Sequence, residues 1–258
     1  TQEEYTKAML ELEEAVLIQK DKDIATRWMF ILAQLYAEQG ESIRANNTYK
    51  AVAKRHPEYE MEFWAQMNRA LSYSAEDGSS YDIKKVLLKM LRDDKNIEYR
   101  DKLYYALSKI YDQEGSEERQ ISALLLSAES SVEDNYQKGL SFLELAEIHF
   151  ARPEYIPAQA YYDSTVQYIP EDFPDREEIV NIKNSLTELV ENILIIQRED
   201  SLLALSEMPE DELDALIDEI IEERLAEEEA RRLAEENQST TFNDGGFQNE
   251  VSNEKGAW

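Results

Sequence analysis

Residues 26–57 read TRWMFILAQLYAEQGESIRANNTYKAVAKRHP. Apolar and small residues recur in this stretch at i, i+3, i+4 and i+7, the spacing that places side chains on one face of an α-helix. Gly40 interrupts the pattern and Pro57 ends it, so the stretch predicts two helices joined by a tight turn. Because each helix alone would expose an apolar stripe, the pair predicts further pairs stacked on it. The residues expected to face the core are Met29, Leu32, Ala33, Tyr36, Ala45, Tyr49 and Val52.

The same pattern recurs along the first two thirds of the chain. Complete units follow near residues 60–91, 103–128 and 142–170, and residues 1–20 match the second helix of a unit. The pattern resembles the tetratricopeptide repeat, although its spacing of 36 to 39 residues exceeds the usual 34. We therefore predict an all-α chain, with a tetratricopeptide-like α-solenoid of stacked helix pairs over residues 1–173. In the first, partial unit the core face is expected to hold Tyr5, Ala8, Leu12 and Ala15.

The spacing of apolar residues changes after Pro174. A long apolar stripe follows, and we expect it to pack on the last repeat as a continuing or capping helix pair over residues 174–205. This stripe consists of Ile179, Ile182, Leu186, Leu189, Val190, Ile193, Leu194 and Ile196.

The C-terminal part of the chain is strongly acidic. Pro209 and the three acidic residues after it are typical of a helix start, and we predict an acidic amphipathic helix over residues 206–236. Fourteen acidic residues and three arginines give residues 207–236 a net charge of −11. Residues 237–258 contain too little apolar content to fold alone, so we predict a flexible, disordered tail.

The overall charge restricts the classes of partner. With 56 acidic and 27 basic residues the net charge is −29, and such a chain repels nucleic acid and anionic membrane surfaces. There is no cysteine, which excludes disulfides and thiol chemistry. No apolar run reaches the roughly 18 to 20 residues that span a bilayer. The chain begins at Thr1 without a signal peptide, and we interpret it as an excerpt or a processed form.

No sequence motif indicates catalysis. The two histidines lack a catalytic or metal-ligand set: His56 precedes a proline in a turn, and His149 occupies a packing position of the last repeat. There is no phosphate-binding loop, dinucleotide fingerprint, nucleophile elbow or calcium loop. We therefore expect no enzyme activity, no cofactor and no metal site.

Two surfaces are candidates for partner binding. The first is the face of the first helices that lines the concave side of a tetratricopeptide superhelix. Its basic residues could receive an acidic peptide or a partner helix, or could simply be solvated charges. The family resemblance implies that this face holds Arg27, Phe30, Gln34, Arg69, Tyr73, Lys102, Tyr105, Lys109, Leu143, Glu147 and Phe150.

The second surface is the apolar side of the acidic helix. It could dock on another chain while the carboxylates steer a basic partner, or it could pack on Ile193 and Leu194 as part of a solvated spacer. The residues of this side are Leu213, Leu216, Ile217, Ile220 and Ile221.

A narrower resemblance involves residues 195–202, IIQREDSL, and residues 208–213, MPEDEL, with the acidic helix that follows. This segment resembles the large PorW/SprE tetratricopeptide lipoproteins of Bacteroidetes, which serve type IX secretion and gliding motility. The resemblance implies a periplasmic, outer-membrane-associated scaffold that links the secretion ring complex to the translocon, with a lipid anchor outside this excerpt. The alternative is a generic, cytoplasmic tetratricopeptide adaptor or co-chaperone that binds an acidic peptide in its concave groove.

Overall fold

The secondary structure is helical throughout the part of the chain that the computed structural model describes, residues 2–78 and 80–244. Short 3-10 helices at Ala75–Asp77 and Asp94–Tyr99 flank the fifth α-helix. The α-helices of the described residues are α1 Gln2–Ile18, α2 Lys22–Glu38, α3 Ser42–Ala53, α4 Tyr59–Leu71, α5 Tyr81–Met90, α6 Arg100–Gln113, α7 Glu117–Ser130, α8 Asn135–Ala151, α9 Tyr155–Tyr168, α10 Arg176–Glu207 and α11 Glu210–Asp244.

The chain divides into two units, Thr1–Glu191 and Asn192–Trp258. In the first unit consecutive helices pack against one another in pairs, α2 with α3, α4 with α5, α6 with α7 and α8 with α9. The first helices of successive pairs also meet, α4 with α6 and α6 with α8. This nearest-neighbour packing of an all-helical chain is consistent with an α-solenoid.

The residues that the pattern of 26–57 placed in the core are buried there. Leu32, Ala33 and Tyr36 on α2 face Ala45, Tyr49 and Val52 on α3, with Met29 partly buried beside them. Asp21 caps α2 by accepting hydrogen bonds from the backbone N–H groups of residues 23 and 24, at 2.9 and 3.1 Å. Gly40 has φ +73°, the left-handed conformation that a glycine adopts most easily after a helix.

The predicted core face of α1 is correct in part. Leu12 and Ala15 are partly buried, whereas Tyr5 and Ala8 are exposed and Met9 is buried instead. Because α1 packs on α2 from one side, its contact stripe is narrow and runs through residues at i, i+3 and i+7. The contact is extended by Glu13, whose carboxylate accepts a 2.6 Å hydrogen bond from the Tyr36 hydroxyl.

Residues 174–205 do not form the helix pair that the stripe suggested. From Arg176 onwards they belong to α10, one continuous helix to Glu207, because no glycine or proline interrupts residues 176–207. Ile179 and Leu186 of the stripe are buried in the apolar cluster shared with α8 and α9, and Val190 is also buried, whereas Leu189 is 40 % exposed. Leu194, Ile195 and Ile196 are exposed, so the expected packing does not extend to them.

The acidic helix is longer than predicted. It is α11, Glu210–Asp244, and it therefore continues through residues 237–244, which we expected in the flexible tail. The first helix-breaking residues after Pro209 are Gly245 and Gly246, which explains why the helix is not interrupted earlier. The rest of the predicted tail, residues 245–258, lies outside the described residues.

Candidate partner-binding surfaces

Two of the basic residues expected to receive an acidic peptide, Lys102 and Lys109, are already paired with carboxylates of the same chain. On α6, Lys102 donates a 2.6 Å hydrogen bond to Asp134, the residue that caps α8. Further along this face, Lys109 and the hydroxyl of Tyr105 both contact the carboxylate of Glu144 on α8. The charges of these two lysines are therefore largely neutralised by carboxylates on or just before the next first helix.

Burial and these contacts shift the pKa values of two groups on this face, Tyr105 and Glu147. Burial and the carboxylate of Glu144 raise the pKa of the Tyr105 hydroxyl, which stays protonated and donates to that carboxylate. Partial desolvation raises the pKa of Glu147, and the negative charge of Glu144 adds to this while Lys109 opposes it. At this position the surface disfavours further negative charge, which argues against an acidic ligand.

Arg69 and Tyr73 are not available on a binding surface, contrary to the prediction. Arg69 is 6 % exposed, and its Nε donates a 3.1 Å hydrogen bond to Oδ1 of Asn46 on α3. Desolvation by burial lowers the pKa of this guanidinium, although Asp82 opposes the shift. Tyr73 follows the end of α4, and its hydroxyl donates a 2.7 Å hydrogen bond to the carbonyl of Gly78. Both side chains are thus committed to contacts within the first unit.

The other predicted residues differ in accessibility. Arg27 and Gln34 are exposed on α2, and Phe30 is half-buried with its ring edge-on to Tyr49 at a centroid distance of 5.7 Å. Leu143 is partly buried in the apolar cluster that α8 shares with α9 and α10.

A groove in the first unit contains Phe150, the last of the predicted concave residues. We call it the α8–α10 groove, because the end of α8, the start of α9 and the first turns of α10 line it; its volume is about 960 Å³. The Phe150 ring is held by edge contacts with Tyr155 and Tyr162, at centroid distances of 6.1 and 6.4 Å. The apolar side chains that line the groove are Phe150, Tyr155, Phe173, Ile182, Leu186 and Leu189.

The sequence did not indicate this groove for two reasons. Its α10 residues belong to a stripe that we expected to pack on the last repeat as a helix pair, and Phe173 lies in the irregular segment between α9 and α10. Asp175 in that segment has φ +58°, a conformation that aspartate tolerates better than most residues. This turn directs the chain into α10 beside the groove.

The second unit presents apolar residues on both of its helical segments. On α11, Ile217 and Ile220 are each 45 % exposed and Ile221 is 50 % exposed, whereas Leu213 and Leu216 are partly buried. The stripe continues in exposed Leu225 and Leu233. On the last turns of α10, the exposed apolar residues are Leu194, Ile195, Ile196, Leu202, Leu203 and Leu205.

The two histidines have the surroundings of structural residues. The ring of His149 stacks on Tyr161 at a centroid distance of 5.3 Å, and its Nδ1 lies 2.5 Å from a carboxylate oxygen of Glu154. His56 has φ +51° in the turn after α3.

No group of three or more histidine, cysteine or acidic side chains in the described residues is arranged to hold a metal ion. Within the same residues, none of the helices combines the length and the apolar character needed to cross a membrane. No known protein-family model matches the chain, and comparison with curated proteins finds no significantly similar sequence.

Proposed function

We propose that this chain is a non-catalytic protein–protein interaction scaffold built on tetratricopeptide-like helix pairs. The observation that carries the proposal is the exposed apolar surface of the second unit, above all Ile217, Ile220 and Ile221 on α11. Soluble chains rarely keep several neighbouring large apolar side chains in water unless the surface binds another molecule. The surrounding carboxylates favour a protein partner with basic residues and disfavour anionic membranes and nucleic acids.

The finer form of the proposal is a periplasmic adaptor at the outer membrane, which links the ring complex and the translocon of type IX secretion and gliding motility. Its support is the resemblance of residues 195–213 and of the acidic helix to the PorW/SprE lipoproteins. In this form the repeats hold one component while α11 docks on another.

The alternative, an adaptor or co-chaperone that takes an acidic peptide on its concave face, has less support. Lys102 and Lys109, the residues that would bind the peptide carboxylates, already contact Asp134 and Glu144. An acidic peptide would have to displace these intramolecular carboxylates, and each exchange would gain little free energy.

The experiment is crosslinking in cells that produce the full-length protein, followed by mass-spectrometric identification of the crosslinked proteins. The wild type is compared with Ile217→Gln/Ile221→Gln, which removes apolar surface without adding charge. The matched control is Leu125→Gln/Leu126→Gln on α7, where both leucines are 42 % exposed. The proposal predicts specific partners that the α11 variant loses and the α7 variant keeps.

Two results distinguish a scaffold in general from an adaptor of type IX secretion. Recovery of secretion-ring or translocon proteins supports the adaptor of type IX secretion, whereas recovery of cytoplasmic chaperones alone contradicts it and leaves the scaffold. If the α11 variant retains every partner of the wild type, the apolar surface of α11 is not the binding surface, and the scaffold proposal loses its support.

A further inference from the structure

The α8–α10 groove combines an apolar floor with an acidic rim. Leu186 is buried at the base, while Phe150 and Leu189 remain 44 % and 40 % exposed at the edges. Exposed aromatic and aliphatic side chains that converge on one groove offer the apolar anchor sites that peptide-binding grooves use.

The rim of the groove carries more negative than positive charge. Four carboxylates line the groove, and all four residues are exposed; Arg176 is the one basic residue among the groove's lining residues. Within the described residues, none of the four carboxylates forms an ion pair. The field at the groove therefore attracts a positively charged occupant. The rim carboxylates belong to Glu171, Asp175, Glu177 and Glu178.

The dimensions fit a short helix. Ile182, Leu186 and Leu189 lie at i, i+4 and i+7 on α10 and form one face of that helix. From Glu178 to Leu189 the wall of the groove is about 16 Å long, the length of three helical turns. A helix that packs against such a wall contributes apolar residues at i, i+3 or i+4, and i+7.

The acidic amphipathic helix α11 of a second copy of this chain would fit the α8–α10 groove poorly. The α11 stripe of a second copy would bring Asp214, Asp218 and Glu222 towards the rim, and like charges placed together across an interface are costly. Charge complementarity instead favours a segment whose apolar residues are flanked by lysine or arginine.

We propose that the α8–α10 groove binds a basic amphipathic helical segment of a partner protein, about two to three turns long. The inference rests on the proposed function as a scaffold and adds to it a second binding site with a defined partner chemistry. In the proposed complex, apolar residues of the partner contact Phe150 and Leu189, and basic residues of the partner pair with the rim carboxylates.

The test is selection of a displayed library of random peptides on the full-length protein, with counter-selection on Glu178→Lys/Leu189→Lys. The proposal predicts surviving peptides with net positive charge and apolar residues at helical spacing. In fluorescence anisotropy these peptides should bind the double variant at least about tenfold more weakly than the wild type, and more weakly at high salt. A control variant, Leu88→Lys on α5, has a similar initial exposure of 42 % and should bind normally.

The peptide-binding test can fail without contradicting the proposal that the chain is a scaffold. Thermal unfolding followed by circular dichroism checks that the double variant is folded, and Glu178→Lys alone repeats the test with a smaller change. If no peptide survives counter-selection, or if the survivors are acidic, the groove inference is wrong. The scaffold proposal would still stand, provided that the α11 variant loses its partners in cells.

Discussion

Gly139 on α8 lies directly against Ile169, the residue that follows α9. A Cβ atom at position 139 would be 2.8 Å from Cγ2 of Ile169 and 3.2 Å from its backbone nitrogen. The absence of a side chain therefore allows the end of α9 to approach α8 closely. The segment after Ile169 leads into α10, so this contact also sets the position of one wall of the α8–α10 groove.

Gly139→Ala should destabilise the first unit. The substitution favours the helix by about 0.5 to 1 kcal/mol, but overpacking in a closely packed interior costs about 1 to 3 kcal/mol. We expect a net loss of about 1 to 2 kcal/mol in the free energy of unfolding, measured by thermal or urea denaturation of the full chain.

The control for this prediction removes the other side of the contact. Ile169→Ala deletes Cγ2 and should be destabilising alone, because Ile169 is buried. In the double variant the new methyl group has more room, so the two effects should be less than additive. Strict additivity would contradict the close approach.

Asp134→Ala should lower stability by about 1 kcal/mol or more. The carboxylate accepts a 2.9 Å hydrogen bond from the backbone N–H of Gln137 at the start of α8 and pairs with Lys102. Burial opposes ionisation of Asp134, but these donors outweigh it and hold its pKa below the ordinary 3.8. A depressed pKa contributes stability that is present above pH 3.8 and is lost as the pH falls through the folded-state pKa.

The variant Asp134→Asn separates the two contributions of this residue. Its amide oxygen still caps α8, so most of the capping free energy should remain. The loss of stability at low pH that comes from protonation of Asp134 should be absent. Denaturant midpoints between about pH 2.5 and 7 measure both effects. Equal loss in the Ala and Asn variants at neutral pH would show that the charge, and not the cap, matters.

Glu147→Gln should stabilise the first unit at neutral pH. Desolvation and Glu144 raise the pKa of Glu147, so its ionisation lowers stability as the pH rises from 4.5 through the folded-state value. The gain should be less than about 1 kcal/mol, because the residue is exposed, and it should disappear below pH 4.5. The measurement is the difference in unfolding temperature between variant and wild type across this range.

Glu144→Gln on the same helix is a matched control, for which we expect the opposite change in stability. This carboxylate accepts from Lys109 and Tyr105, so its neutralisation removes an ion pair and should destabilise the protein at neutral pH. A stabilising effect of both substitutions would mean that general reduction of negative charge, and not the local contacts, dominates.

Asn46→Ala should cost about 1 to 3 kcal/mol, because it leaves the buried Arg69 Nε without its acceptor. Arg69→Met should cost less, since a methionine needs no hydrogen-bond partner. When Asn46→Ala is combined with Arg69→Met its cost should fall, and a double-mutant cycle from urea denaturation measures this coupling. Without coupling, the hydrogen bond would not contribute to stability.

The periodic residues of 26–57 could be predicted from sequence because helical spacing and Gly40 define both helices locally. Spacing relates apolar residues to one another but does not say whether a neighbour covers them. For this reason it did not separate buried Leu186 from exposed Leu194, which belong to the same stripe of α10. It likewise failed to show that residues 174–205 do not form a helix pair.

The candidate surface was harder to predict because its contacts join distant parts of the chain. Lys102 meets Asp134 and Lys109 meets Glu144, in each case on or just before the following first helix. Positions carried over from a repeat family do not contain this information. They also placed Arg69 on an open face, although the polar side chain of Asn46 on the adjacent helix gives it a buried partner.

The most direct measurement of the scaffold proposal is site-specific photocrosslinking in living cells. A photoreactive amino acid replaces Ile217 on α11 in one strain and Leu126 on α7 in a control strain, and the adducts are separated by electrophoresis and identified by mass spectrometry. The proposal predicts discrete protein adducts from position 217 that are absent from position 126. The same pattern of adducts, or none, at both positions would contradict it.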